Sequence, residues 1–208
     1  MKKLPLPDWY IPSCKLIKYM FPRAHAAAYL TMAFRVAYYK MHYPDVFYAV
    51  YFTTRADDFD IVHCTGGADE VLIERERIDK EVRAAGKATT TASGDSVAKL
   101  KELYSILEVV YEMNLRGIEF LPVDINKSQG TEFVVTEKNK ILPPFNAISG
   151  MGATVSLKIV EAREKGGREF TSVDDFRVRT GAGQSVIDRL AALGCFDNMA
   201  QSSQMTLI

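Results

Sequence analysis

Apolar positions recur at helical spacing over most of this chain and at strand spacing in one stretch. Residues His25 to Tyr43 are rich in Ala, Leu, Met and Tyr, hold no Gly or Pro, and predict a helix. Pro44 closes that helix, since proline has no N–H to give a helix interior, and can open the next one, through about Thr53. Asp57-Asp58-Phe59-Asp60 is a polar break. Residues 69–85 space opposite charges (Glu70, Glu74, Arg75, Arg77, Lys80, Glu81) as a solvent-exposed helix does. Ala88 to Gly94, with three consecutive Thr, reads as a loop. Asp95 to Arg116 predicts a long amphipathic helix with Leu100, Leu103, Leu107, Val110 and Tyr111 on one face and Gly117 as its C-cap. The runs Ile118–Ile125 and Glu132–Leu142 carry β-branched residues and are broken by Lys127-Ser128-Gln129-Gly130 and Glu137-Lys138-Asn139-Lys140, which predicts a small β element. The opening, Pro7 to Ser13, is irregular or a short helical entry.

The C-terminal third holds a short pseudo-repeat. Ile148-Ser149-Gly150-Met151-Gly152 precedes a helical pattern (Val155, Ile159, Val160, Ala162). Thirty-one residues later Gly181-Ala182-Gly183 precedes another (Val186, Ile187, Leu190, Leu193). Glycines allow a tight turn and the close approach of another backbone. The helix that follows offers free N–H groups and its positive dipole end to a phosphate. Ser149, Gly150, Gly152 and Thr154, with Lys158 one turn into the helix, are candidate duplex-backbone contacts, as are Gly181 and Gly183. Such contacts read backbone rather than base, so binding would be independent of sequence. A single G-x-G before a helix also serves as an ordinary tight turn. Thr180 lacks the apolar character of Ile148, so the second hairpin is expected to help fold the pair and to touch little DNA.

Composition changes this picture little; charge changes it more. The 208 residues are 48% apolar and 25% charged, as in an ordinary globular protein. No stretch has the ~18–20 uninterrupted apolar residues of a membrane span, and Met1 to Asp8 has no apolar run behind its lysines, so neither membrane nor secretion is expected. Cys14, Cys64 and Cys195 are odd in number and far apart, which points to free thiols in the cytoplasm. The 26 basic and 26 acidic residues cancel, but unevenly. Residues 1–50 hold seven Lys/Arg against two Asp/Glu, and residues 51–140 hold twelve against seventeen. A basic first segment suits phosphate contacts, and equally a solvated face.

Arg23 and His25 stand at the start of a helix beside small alanines, and read either as phosphate contacts or as a surface arginine and a capping histidine. Tyr29, one turn on, can stack on a base or pack in a core. Lys18, Arg35 and Lys40, with Lys15, are further possible phosphate contacts. His63-Cys64 has no second pair at ligand spacing, and Asp58-Phe59-Asp60 is a polar turn, so no metal site and no catalytic residue is expected in this chain.

Several stretches together resemble one family. Pro7-Asp8-Trp9-Tyr10-Ile11, Ile17 to Tyr29, Ala37 to Pro44, Arg55 to Asp60, Leu142 to Ile148 and Glu169 to Phe176 are similar, in order, to the C-family bacterial replicative DNA polymerases of the PolC type. The resemblance implies a mainly α fold. Residues 1–140 would be a distal fingers segment with a small β element. Residues 141–198 would be a tandem helix–hairpin–helix domain on duplex DNA, and 199–208 a tail. It implies that Arg23, His25, Tyr29, Lys18, Arg35 and Lys40 face incoming dNTP or primer–template. It places the carboxylates that hold catalytic Mg2+ in a palm outside this segment, so this chain alone would not polymerise DNA and itself needs no cofactor. The ending Gln204-Met205-Thr206-Leu207-Ile208 resembles the pentapeptide Q-L-(S/D)-L-F that binds the sliding clamp, with Ile208 in place of the usual Phe. Expected partners are therefore primer–template duplex, dNTP, the clamp and the remainder of a polymerase chain. A free-standing helix–hairpin–helix DNA-binding adaptor is the alternative; it would need no Arg-Ala-His-Ala-Ala-Ala-Tyr stretch. An enzyme in its own right lacks any nucleophile–base or metal constellation.

Overall fold

The computed structural model describes residues 7–16, 23–55, 59–85, 94–167 and 169–202. Two compact units result, up to His42 and from Tyr43 onward. The first holds α1 (Tyr10–Leu16) and α2 (Arg23–His42), in neither of which any described residue is buried. Proline ends α2 as its sequence demands: Pro44 stands at the first position of α3 (Pro44–Thr53), where no intrahelical donor is missed.

The second unit has one continuous core. After α3 come α4 (Ile61–Cys64), α5 (Gly67–Ala85) and α6 (Gly94–Leu115). The last two pack on each other, burying Val71 and Ile78 against Ile106, Leu107, Val110 and Met113. Gly117, at φ +75°, ends α6 as expected: Ile118 N–H bonds the Met113 carbonyl and Gly117 N–H that of Asn114, so two end carbonyls of the helix are satisfied. The predicted β element is a three-stranded sheet of β1 (Glu119–Phe120), β2 (Val134–Glu137) and β3 (Lys140–Leu142). Its order is β1-β3-β2, with β1 parallel and β2 antiparallel to β3. Four phenylalanine rings clamp it to α3: Phe52 stands 5.2 Å from Phe120 and 5.8 Å from Phe133, and Phe59 stands 5.0 Å from Phe133. The Phe52–Phe120 and Phe59–Phe133 pairs meet edge to face, which adds to the burial of the rings.

A 3-10 turn (Phe145–Ala147) then leads to α7 (Ala153–Lys165), α8 (Val173–Thr180) and α9 (Gln184–Ala192). Their packing centres on Ile159, Phe176, Ile187 and Leu190. Arg179 is turned inward, with its guanidinium 4.4 Å over the Phe170 ring, donating to Asp175 at 3.2 Å and to the Ala162 carbonyl at the end of α7 at 3.0 Å. Arg163 likewise donates to the Ser128 carbonyl at 2.9 Å. Burial lowers the Arg163 pKa from its ordinary value. These two arginines therefore brace the fold. Val173 and Asp174 N–H groups bond the Ala200 and Gln201 carbonyls, which pins that stretch to the start of α8.

Candidate nucleic-acid interface

The two glycine turns have the same backbone. Gly150 and Gly181 take left-handed φ values of +77° and +65°. Gly152 and Gly183, each two residues on, are extended at φ −72°, ψ 159° and φ −71°, ψ 163°, and each is the N-cap of the next helix. A left-handed residue there would strain any side chain, which is why the sequence carries glycine at both first positions. The repeat also differs between copies. The second turn lies between two α-helices, α8 and α9, whereas only the 3-10 turn precedes the first. Thr180, the counterpart of Ser149 in the first turn, accepts a bond from Ala182 N–H through its hydroxyl at 3.1 Å and donates to the Phe176 carbonyl at 2.8 Å.

Capping chemistry sets these turns apart. Ser172 caps α8 by accepting from Asp175 N–H at 3.0 Å, and Asp60 caps α4 by accepting from Val62 N–H at 2.9 Å. At α7 and α9 the cap is glycine and no side chain takes the first-turn donors. Val155 and Val186 N–H donate to the Gly152 and Gly183 carbonyls at 3.1 Å, which leaves the first two N–H groups of each helix, at its positive end, for an anion. Ser149, Gly150, Gly152, Thr154, Lys158, Gly181 and Gly183 are all exposed. At Gly152, Gly181 and Gly183 the space a side chain would fill is open to beyond 4 Å. A cleft of about 490 Å³ adjoins the first turn, lined by Ser149, Gly150, Gly152, Asn146, Lys99 and Glu102 among others.

Sequence reasoning missed Arg189. This exposed α9 residue donates from Nη1 to the Ser149 carbonyl, and its guanidinium lies over Gly150, with Nη2 2.7 Å from the position of an added Cβ. The signal was the repeat itself: thirty-one residues separate Gly152 from Gly183 and likewise Lys158 from Arg189.

The other predicted contacts lie on α2. His25 and Tyr29 meet edge to face, with ring centroids 4.4 Å apart, and Tyr29 is 66% exposed rather than packed in a core. The helix separates the rest. At ~100° and 1.5 Å per residue, Arg23 projects almost opposite His25, and Arg35 and Lys40 stand ~15 Å and ~22 Å further along the axis. Lys40 is half-buried, and the Arg35 guanidinium lies 4.0 Å from Met32 Sδ. Lys18 and Gln204 to Ile208 lie outside the described residues. Among the described residues no group of three or more His, Cys, Asp or Glu could hold a metal ion. Nor is any helix among them long and apolar enough to cross a membrane.

A family model of the helix–hairpin–helix motif matches residues 117–206. Relatives extend the match to the whole chain. The chain is 44% identical over 207 residues to DNA polymerase III PolC-type of Caldanaerobacter subterraneus subsp. tengcongensis. The same protein of Thermotoga petrophila is 46% identical, and that of Bacillus subtilis 42%, each across all of this chain. The chain spans only about 14% of the length of the first and second of these relatives, and 13% of the third. The whole of this chain is thus homologous to one segment of PolC-type DNA polymerase III, a segment that includes a helix–hairpin–helix unit.

Proposed function

We propose that this chain is the part of a replicative DNA polymerase that grips the product duplex by its phosphate backbone. The carrying observation is the pair of glycine turns with matching dihedrals, each opening onto a helix whose first N–H groups no side chain caps. Each turn lets one strand's backbone come within hydrogen-bond reach, and Lys158 adds charge beside the first. No base edge is read, so two duplexes of unrelated sequence should compete equally for the chain. Competition binding tests this: equal affinities are expected, and a preference above about tenfold would contradict a backbone grip. Lys158→Glu should weaken both duplexes alike.

The same reading covers the remaining parts. The exposed His25–Tyr29 pair supports a surface of α2 that faces incoming dNTP or primer–template, with Arg23, Lys18, Arg35 and Lys40 as separate phosphate contacts along the fingers. The tail Gln204 to Ile208 follows an anchored stretch at Ala200–Gln201 and suits an extended peptide seated in a sliding-clamp groove. Deleting 204–208 should abolish clamp binding and leave duplex binding intact; unchanged clamp affinity would count against the tail. Polymerase chemistry needs carboxylates around Mg2+. Asp60 is used as a helix cap, and on this reading those carboxylates belong to a palm in the remainder of the polymerase chain. This chain alone should then show no template-dependent nucleotide incorporation. Its setting would be the cytoplasm, where the replicated DNA is.

A further inference from the structure

The two turns are alike in backbone and unlike in what lies over them. The space above Gly181 is open, while that above Gly150 holds the Arg189 guanidinium, delivered from the second repeat. Only a residue without a Cβ lets that group lie there. The bond to the Ser149 carbonyl uses one of the five N–H donors of an arginine and leaves its charge exposed at the turn. The start of α7 and its uncapped N–H groups follow directly after this turn. A guanidinium fork over Gly150, three residues before the start of α7, brings the charge and the planar donors that a phosphate takes best to the same turn.

We propose that Arg189 is a duplex-backbone contact of the first hairpin, so that one DNA phosphate is held jointly by the N–H groups opening α7 and by a guanidinium from α9. The inference rests on the duplex grip described above and adds to it a residue and a geometry. It makes the repeats interdependent: the first hairpin binds fully only when the second is folded against it. Lys158 and Arg189 are equivalent by the repeat, each a cation one turn into a hairpin helix, yet Arg189 lies over the glycine of the other repeat while nothing lies within 4 Å above Gly181.

The test is fluorescence anisotropy of the 208-residue chain with a labelled duplex at salt from about 50 to 200 mM, using wild type, Arg189→Leu, Arg189→Lys and Lys158→Glu. Arg189→Leu should bind about tenfold more weakly, with the slope of log affinity against log salt shallower by about one. Arg189→Lys keeps the charge and should keep the wild-type slope with part of the affinity. Should Arg189→Leu melt well below wild type, Arg189→Gln, whose amide can still donate to the Ser149 carbonyl but carries no charge, takes the slope test in its place, and a wild-type slope would then overturn the proposal. Weaker binding of Arg189→Leu with an unchanged slope would show a brace between hairpins and overturn the phosphate contact. Unchanged affinity would overturn it as well; if Lys158→Glu still weakens binding, the grip itself would stand. A wild-type chain that fails to bind duplex at 50 mM salt would overturn the grip and the Arg189 contact together.

Discussion

Alanine at Gly150 and at Gly181, one at a time, separates backbone strain from the Arg189 contact. Both residues are left-handed, at φ +77° and +65°, and a Cβ in that region costs ~1–2 kcal/mol. At Gly181 nothing lies within 4 Å of the new methyl group, so strain is the whole effect. At Gly150 the methyl falls on the Arg189 guanidinium. That group is the far end of a flexible, exposed side chain and can swing aside, so the added cost is the lost bond to the Ser149 carbonyl. An exposed bond of this kind contributes ~0.5–1 kcal/mol. For a cooperative unit of this size, 1 kcal/mol moves Tm by ~2–4 °C. Gly181→Ala should therefore lower Tm by ~2–8 °C, and Gly150→Ala by ~1–4 °C more. In an Arg189→Ala background the difference should vanish, because the contact is already gone. Thermal unfolding followed by circular dichroism reads all of these. Equal losses at the two glycines in wild type would refute the reasoning, as would a Gly150 penalty that survives removal of Arg189.

Other outcomes follow from the core. Burial pushes the Cys64 thiol up to about 12, so the fold keeps a proton that the unfolded chain loses from about pH 8.5 upward. That contribution is complete below the unfolded value and is lost as pH rises toward the folded one, at ~1.4 kcal/mol per pH unit. Urea unfolding from pH 8.5 to 10.5 should show a flatter loss in Cys64→Val than in wild type; identical slopes would contradict the burial. Phe133→Ala removes a ring packed against Phe52, Phe59 and Phe120 and should cost ~3–5 kcal/mol, read as a shift in urea midpoint. Ser172→Ala takes the cap from α8 and should cost ~1 kcal/mol in the same measurement.

Local grammar carried most of the fold. Pro44, Gly117 and the spaced charges of 69–85 announce where helices start, stop and face solvent, because each acts within a turn or two of itself. The small sheet was legible from β-branched runs broken by Lys127–Gly130 and Glu137–Lys140, though not its order, which depends on a parallel pairing across twenty residues. On α6 the face of Leu107 and Val110 was visible, while Ile106 and Met113 are buried as fully, since packing against both α5 and α4 needs a wide apolar face. The hairpin glycines were legible because positive φ selects glycine by residue type. Arg189 was not, since its partner lies forty residues away and only folding brings the two repeats together. The surface of α2 was legible as chemistry and silent as geometry: one helix cannot aim Arg23, His25 and Lys40 at a single ligand.

The central claim is that the paired hairpins hold duplex DNA by its backbone. Anisotropy of the whole chain with a primed duplex and with the matching single strand, across a salt series, tests it most directly. The account predicts tighter binding to duplex than to single strand, weakening steeply as salt rises, because phosphate contacts release counterions. Equal or weaker binding to duplex, or an affinity that salt leaves unchanged, would contradict it.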